Sequence, residues 1–172
     1  MPARKTMDAI ALLKADHRKV EGLFADYEKA RNAERKRSLA GQICLELTVH
    51  SKIEEDVFYP ACRENAVDED MMNEANVEHD SAKVLIAEIE KGGPDDDYYD
   101  AKVKVLSEMI KHHVKEEEKK SGNMFAKARK AGVDLKALAG KMADEKNLLL
   151  RQYKEVGLPK PPTPSLTATQ LA

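Results

Sequence analysis

The apolar positions of this chain recur at alternating spacings of three and four residues, the pattern of a helix with one buried stripe. Four such stripes are separated by breaks near residues 32–33 and 65–68 and at Gly92-Gly93-Pro94. In chain order the stripes run from Ile10 to Tyr27, from Ile43 to Ala61, from Met72 to Ile89 and from Val103 to Glu117. The pattern predicts an all-α protein with an up-down-up-down four-helix bundle.

The last third of the chain predicts two further features. A fifth stripe at about 134–156, which Asp134 can cap, predicts an additional C-terminal helix packed on the outside of the bundle. The prolines after Leu158 exclude a helix, and we expect a disordered Pro-rich tail over residues 158–172. We therefore expect a single domain over residues 1–157, with its core bundle at about 7–130. Pro60 should kink the second helix or end its regular part.

Composition narrows the class of protein. The formal net charge of the 172 residues is only -2, which gives no reason to expect a nucleic-acid partner. No apolar run is long enough for a membrane span, and no signal peptide is expected because no apolar segment follows the N-terminus. Cys44 and Cys62 lie on one predicted helix, roughly 27 Å apart, which is too far for a disulfide. Two free thiols favour a cytoplasmic location.

Each of the four stripes carries one histidine at a core position. Two stripes add a glutamate four residues later, on the same helix face. Counting residues to the turns places all four histidines at about one level of the bundle. A single histidine on an apolar stripe is usually a packing residue, but buried carboxylates are costly unless they are paired or metal-bound. We therefore predict a metal site whose ligands are His17, His50, Glu54, His79, His113 and Glu117.

The two halves of the chain also repeat. His17 and His79 are 62 residues apart, and His50 and His113 are 63 apart, so each half supplies one His and one His-x-x-x-Glu. A duplicated site favours two metal ions related by pseudo-symmetry. Imidazole and carboxylate ligands without thiolate favour iron, manganese or zinc. Six residues cannot fill every position of two octahedral ions, so the remaining positions favour small-molecule chemistry.

The segments that carry these residues resemble the hemerythrin HHE cation-binding domain family, over roughly residues 7 to 130. The matching segments are Asp16-His17, His50-Ser51-Lys52-Ile53-Glu54-Glu55-Asp56-Val57-Phe58-Tyr59-Pro60, Glu78-His79-Asp80 and His112-His113-Val114-Lys115-Glu116-Glu117-Glu118. The resemblance implies two non-haem iron ions, Fe2+ or Fe3+, with an oxo or hydroxo bridge. It also implies that Glu54 and Glu117 bridge the ions and that the four histidines are terminal ligands. Zinc or manganese are the alternatives in recombinant material.

This sequence differs at two positions from the oxygen-carrying members of the family, and both differences bear on the expected function. Those proteins have a second histidine where this chain has Lys83, and an Asp five residues after the last histidine, whereas Glu117 follows His113 at four. The resemblance is therefore to the broader bacterial branch. It implies binding of, or reaction with, small oxidants such as O2, H2O2 or NO, and it leaves a catalase- or peroxidase-like activity open. The alternatives are reversible oxygen binding and iron handling without turnover.

Four residues near the predicted site have less certain positions. Glu21 completes a third His-x-x-x-Glu, but it flanks the stripe, which passes through Val20. His112 lies about 100° around the helix from His113, so we expect it at the surface or behind the ligands. Tyr27 and Tyr59 could approach the site, although a tyrosine in a helix interface is usually a packing residue. No output domain accompanies the predicted bundle, so a sensory role would require a separate protein partner.

Overall fold

The computed structural model describes residues 7–161, and these residues form helices joined by short turns. Two of the helical segments are single π-helical turns, at Glu54–Phe58 and Lys115–Lys119. The α-helices are α1 (Ala9–Lys29), α2 (Ala33–Ile53), α3 (Tyr59–Glu64), α4 (Glu69–Lys91), α5 (Tyr99–Val114), α6 (Met124–Lys130) and α7 (Leu135–Val156). This architecture confirms the predicted all-α bundle with an additional C-terminal helix.

Polar side chains fix where most of the helices begin. An Asp or Asn carboxyl or amide oxygen accepts a hydrogen bond from the backbone N–H three residues later, which satisfies one of the free donors of the first turn. Gly132 and Gly157 have φ angles of 81° and 84°, a left-handed conformation that suits glycine after a helix end. The capping residues are Asp8, Asn32, Asp68, Asn123 and Asp134.

The order of core residues along the helices shows the up-down-up-down path. One apolar cluster contains Leu13 of α1 and Met72 of α4 on the N-terminal side of their histidines, and Ile53 on the C-terminal side of His50. The opposite cluster contains residues in the reverse order, such as Phe24 after His17 and Ile43 before His50. Each helix therefore runs from one cluster to the other. The histidine layer lies between the two clusters.

The second and fourth arms of the bundle each contain a π-helical turn at the predicted glutamate. The Tyr59 N–H bonds to the carbonyl of Glu54, five residues back, and the Lys120 N–H bonds to that of Lys115 in the same way. The chain stays helical through Pro60, within α3, so the proline does not end this arm. The wider turn before Pro60 relieves the clash that its ring would make in a regular helix.

Helix α7 covers α1, α2 and the first π-turn from outside, as predicted. Its Leu138, Met142 and Leu149 are buried in the same cluster as Leu13 and Ile53. After Gly157 the chain is no longer helical over residues 158–161, and the partly buried Leu158 packs against the other apolar cluster. The rest of the predicted disordered tail lies outside the described residues.

Two predictions from composition can be compared with the structure. Cys44 and Cys62 are both free and buried. Among residues 7–161, no helix combines the length and the apolar character that crossing a membrane requires.

We expect the docking of α7 to contribute to stability through Met142, which has no exposed surface. The substitution Met142→Ala should lower the free energy of unfolding by about 2–4 kcal/mol, because it leaves a cavity in the apolar cluster. Leu148→Ala, on the same helix at 53% exposure, should change it by less than about 0.5 kcal/mol. Urea unfolding of both metal-free variants measures this difference. Equal losses would show that α7 does not dock as described.

Candidate metal centre

The structure brings the six predicted residues together in the middle of the bundle. Two histidines of the first half form one pair, with His17 Nε2 3.1 Å from His50 Nε2. The second half forms an equivalent pair, with His79 Nε2 3.2 Å from His113 Nε2. All four rings and both carboxylates of Glu54 and Glu117 are buried. Six polar side chains thus occupy one buried layer between two apolar clusters.

Each of the two carboxylates faces both histidine pairs. Glu54 Oε1 lies 3.2 Å from His50 Nε2, and its Oε2 lies 3.3 Å from His79 Nε2. Glu117 Oε2 lies 3.3 Å from His17 Nε2, and its Oε1 lies 3.4 Å from His113 Nε2. Every pair therefore has one oxygen from each glutamate. The donors form two adjacent subsites, one of His17, His50, Glu54 and Glu117 and the other of Glu54, His79 and His113, and Glu117 Oε1 approaches the second at His113.

Three features of these residues fit a pair of metal ions. Ligand atoms about 2.1 Å from one ion and at right angles are roughly 3.0 Å apart, close to the separations within each subsite. Glu54 Oε1 and Glu117 Oε2 are buried and have no hydrogen-bond partner, although imidazole nitrogens lie nearby. Such oxygens are costly to bury unless a cation or proton satisfies them. Imidazole nitrogen with carboxylate oxygen is the donor set of iron, manganese and zinc sites.

The charges of this layer are strongly coupled. Burial alone would lower the pKa of His50, but Glu54 and Asp16 raise it to about 10. Burial likewise opposes ionisation of Glu54, yet His50 and the neighbouring imidazoles hold the pKa of this carboxyl well below its usual range. Burial also opposes protonation of His113, but Glu117 and its other carboxylate neighbours raise its pKa well above the usual value. In the absence of metal, His50 and His113 therefore hold protons that compensate the carboxylates. A metal ion must displace these protons, so binding should release them to solvent.

A further carboxylate lies behind the outer nitrogen of each histidine. His113 Nδ1 lies 2.7 Å from Glu78 Oε2, and His79 Nδ1 lies 3.0 Å from Glu55 Oε1. His50 Nδ1 lies 3.5 Å from Asp16 Oδ2, and His17 Nδ1 lies 3.6 Å from Glu118 Oε2. A carboxylate behind an imidazole fixes its orientation and raises its basicity toward a metal. Each histidine consequently presents Nε2 to the centre.

A basic side chain contacts each of these four carboxylates in turn. Lys83 donates two hydrogen bonds to Glu55, at 2.7 and 3.0 Å. The His112 Nε2 lies 3.2 Å from Glu78 Oε1, while His112 itself is 59% exposed. Arg18 pairs with Glu118, and Lys146 of α7 pairs with Asp16. Burial opposes the ionisation of Asp16 and Glu55, but contacts with histidine and with Lys146 or Lys83 lower the pKa of both carboxyls.

Tyr59 joins the site, which is one of the two roles that its sequence position left open. Its hydroxyl donates a 2.9 Å hydrogen bond to Glu117 Oε1 and lies 3.4 Å from Glu54 Oε2. Burial and the two carboxylates raise the pKa of Tyr59 well above its usual value, so it stays protonated. The position that corresponds to Tyr59 in the second half of the repeat, 63 residues later, is Gly122. Only the first half therefore supplies this hydroxyl.

The other uncertain residues lie away from the metal layer. Glu21 pairs with Arg18 and Lys119 at the surface, as its flanking position indicates. His112 contacts Glu78 and none of the six central residues. Tyr27 donates a hydrogen bond to Asp100. Lys83 directs its ammonium group to Glu55 and Asp80, so it is not a ligand in this arrangement.

The outer carboxylates are the functional residues to which sequence analysis assigned no role. Their signal is positional and occurs in both halves. An acidic residue directly precedes the histidine of α1 and of α4, at Asp16 and Glu78, and another directly follows each central glutamate, at Glu55 and Glu118. The pattern along one helix does not identify which histidine each carboxylate contacts, because each of these contacts joins two different helices.

A narrow cavity adjoins the four histidines on the side away from Tyr59. About 20 Å³ of it is open to a molecule the size of water. Apart from the histidines, its walls are mostly apolar, with Lys83, Asp16 and Ser51 at its margin. The apolar lining residues are Val20, Leu47, Ala82, Ile86, Ile110 and Val114. This space suits a ligand of very few atoms.

Comparison with known proteins agrees with this site. The model of the hemerythrin HHE cation binding domain matches residues 8–125. A solved structure of a hemerythrin HHE cation binding domain-containing protein from Mycobacterium kansasii shares the fold, with a TM-score of 0.72 over 87% of this chain and 94% of that chain, at 21% identity. A DNA nickase of Nostoc sp. is 28% identical over 115 residues, which cover 67% of this chain but only 32% of that protein.

The family match spans both His-x-x-x-Glu motifs and both single histidines. Together with the two His/Glu clusters at the centre of the bundle, it makes the protein a metal-binding helical bundle. The chain belongs to the hemerythrin HHE cation-binding domain family.

Proposed function

We propose that this protein is a non-haem di-iron protein that binds or reacts with small oxidants such as O2, H2O2 or NO, and that it reacts with peroxide rather than carrying oxygen in bulk. The observation that carries the proposal is the division of each central carboxylate between two histidine pairs. Glu54 and Glu117 each offer one oxygen to each pair, within 3.2–3.4 Å of the nearest imidazole nitrogen. Such an arrangement favours two ions that share both carboxylates.

An iron pair in this layer would supply redox chemistry and free coordination positions for a small oxidant. Four imidazoles and two shared carboxylates offer eight donor atoms, against about twelve positions for two octahedral ions. The surrounding residues orient these donors. The outer nitrogens of the histidines face the carboxylates of Asp16, Glu55, Glu78 and Glu118. The Tyr59 hydroxyl donates a hydrogen bond to Glu117. The apolar clusters on both sides exclude water.

Lys83 supports reaction with peroxide over bulk oxygen carriage. Its ammonium group hydrogen-bonds to Glu55 and Asp80 and is a poor metal ligand while protonated. Burial opposes ionisation of Glu55, but hydrogen bonds from His79 and Lys83 lower the pKa of this carboxyl. The lysine thus keeps a charged carboxylate behind His79. The position that a further histidine would fill in an oxygen carrier is left to solvent or to an oxidant.

The DNA-directed activity in the name of the Nostoc relative is not part of this proposal. The match covers 32% of that protein, so its activity can depend on regions with no counterpart here. The formal net charge of this chain is -2. Basic surface residues such as Lys19, Lys127 and Arg129 are paired with acidic side chains. We therefore propose a small-molecule ligand and no nucleic-acid or membrane partner.

The first prediction concerns metal content. The protein purified without chelators from iron-supplemented cells should hold about two iron ions per chain, because the ligands form two subsites. Glu54→Ala and Glu117→Ala should each lose at least one ion, since each removes an oxygen from both subsites. Glu21→Ala should retain both ions. Elemental analysis measures the iron-to-protein ratio of the native protein and the three variants, and iron loss from Glu21→Ala equal to that from Glu54→Ala would contradict the ligand assignment.

The second prediction concerns the outer carboxylates. Glu78→Ala should lower metal affinity roughly 10- to 100-fold, because His113 loses the partner that orients its ring. Glu74→Ala, one turn earlier on the same helix and exposed, is the matched control and should leave affinity unchanged. Competition with a chelator at fixed pH measures both affinities. Equal affinities for the two variants would mean that Glu78 does not support the site.

The third prediction tests peroxide chemistry. The iron-loaded protein should convert two H2O2 to two H2O and one O2, and Lys83→His should slow this reaction because an added imidazole can occupy a free position. Lys83→Met also loses the contact with Glu55 but cannot supply an imidazole. Comparison of the two variants therefore separates the effect of a new metal ligand from the effect of losing the Glu55 contact. An oxygen electrode measures the released gas. A native protein that takes up O2 reversibly and leaves H2O2 intact would restore the oxygen-carrier interpretation.

A further inference from the structure

The internal repeat creates two equivalent crevices beside the metal cavity. One lies between α2 and α4, and the other lies between α1 and α5. A shift of 62 residues relates α1 to α4, and a shift of 63 relates α2 to α5. Under these shifts six wall residues of one crevice correspond to six of the other. The pairs that matter here are Ser51 with Val114, Ile86 with Phe24, and Lys83 with Glu21.

The two crevices differ greatly in size. The groove between α2 and α4 has a volume of about 670 Å³, and its outer wall includes Tyr153 of α7 and residues 158–161. The hollow between α1 and α5 has about 110 Å³. Ser51, Lys83 and Ile86 line both the larger groove and the metal cavity, so these three residues form the wall between the two spaces. Ile110 and Val114 form the corresponding wall between the hollow and the cavity.

The exchange of side chains between the halves adds to the difference made by the outer wall of the groove, because the residues at the two inner walls are similarly buried but differ in size. On the α1–α5 side, the ring of Phe24 and the branched side chain of Val114 fill the crevice and are only 5% and 1% exposed. On the α2–α4 side, Ser51 is smaller, and its hydroxyl bonds back to the carbonyls of Leu47 and Thr48 at 3.0 and 3.2 Å. The serine therefore presents little bulk and no free donor to the passage.

We infer that small molecules enter and leave the metal cavity through the crevice between α2 and α4, at a neck formed by Ser51, Ile86 and Lys83, and that Val114 and Phe24 close the equivalent crevice between α1 and α5. This inference rests on the proposed function, in which a small oxidant must reach the centre. At the neck, the Lys83 ammonium is paired with Glu55 at 2.7 Å and with Asp80 at 3.2 Å, so its charge is compensated.

The test exchanges the residues of the two crevices. Ser51→Val gives the open side the residue of the closed side, and Val114→Ser is the matched reverse change. Ile86→Phe is a second closing variant at a different wall, and circular dichroism checks that each variant is folded. The probe is azide added to protein loaded with Co2+, followed by stopped-flow absorbance of the cobalt bands. Cobalt needs no redox step, so a chain that holds no iron or ignores peroxide still reports on access.

Closing the neck should slow azide association and dissociation together. Ser51→Val and Ile86→Phe should each lower both rate constants by about tenfold or more, while the equilibrium dissociation constant changes less than about twofold. Val114→Ser should not slow either rate. Unchanged rates in both closing variants, a change confined to the equilibrium constant, or no azide response in the cobalt-loaded native protein would overturn the inference. None of these results depends on whether the native metal is iron.

Discussion

The structure depends on the burial of two carboxylates among four imidazoles at the centre of a bundle. A carboxylate without a partner in such a place would cost several kcal/mol. The free energy of unfolding of an ordinary domain is about 5–15 kcal/mol, so this cost exceeds half of the smaller value. The protein meets this cost with charge compensation in layers. Glu54 and Glu117 face histidines, the histidines face four outer carboxylates, and Lys or Arg side chains face most of those. The apolar clusters above and below can then pack without contact with an unpaired charge.

Much of the fold and the centre could be predicted because both depend on helical periodicity. A repeat of three and four residues determines which face of a helix is buried, and a residue count determines height along the bundle. These two quantities were enough to bring His17, His50, His79 and His113 to one level with Glu54 and Glu117. The structure confirms the bundle and the helix at about 134–156, while the role of the six residues as ligands stays a prediction.

What escaped prediction depends on contacts between helices and on local backbone geometry. Asp16 is adjacent to His17 in sequence, yet it contacts His50 on another helix and Lys146 on α7. Tyr59 follows a π-helical turn, which rotates it relative to a regular helix and directs its hydroxyl at Glu117. The same geometry keeps Pro60 within a helical arm. The break before α6, at residues 120–123, was also not anticipated.

The outer carboxylates bear on how such a bundle could arise. Asp16 and Glu78 each support a histidine of their own half, but Glu55 supports His79 and Glu118 supports His17, in the opposite halves. Neither helix pair therefore contains a complete centre. Two copies of one ancestral helix pair, related by a two-fold axis through the metal layer, would supply the same set of contacts. Gene duplication and fusion of such a homodimer would have freed each half to diverge, as Ser51 and Val114 have done on opposite sides of the cavity.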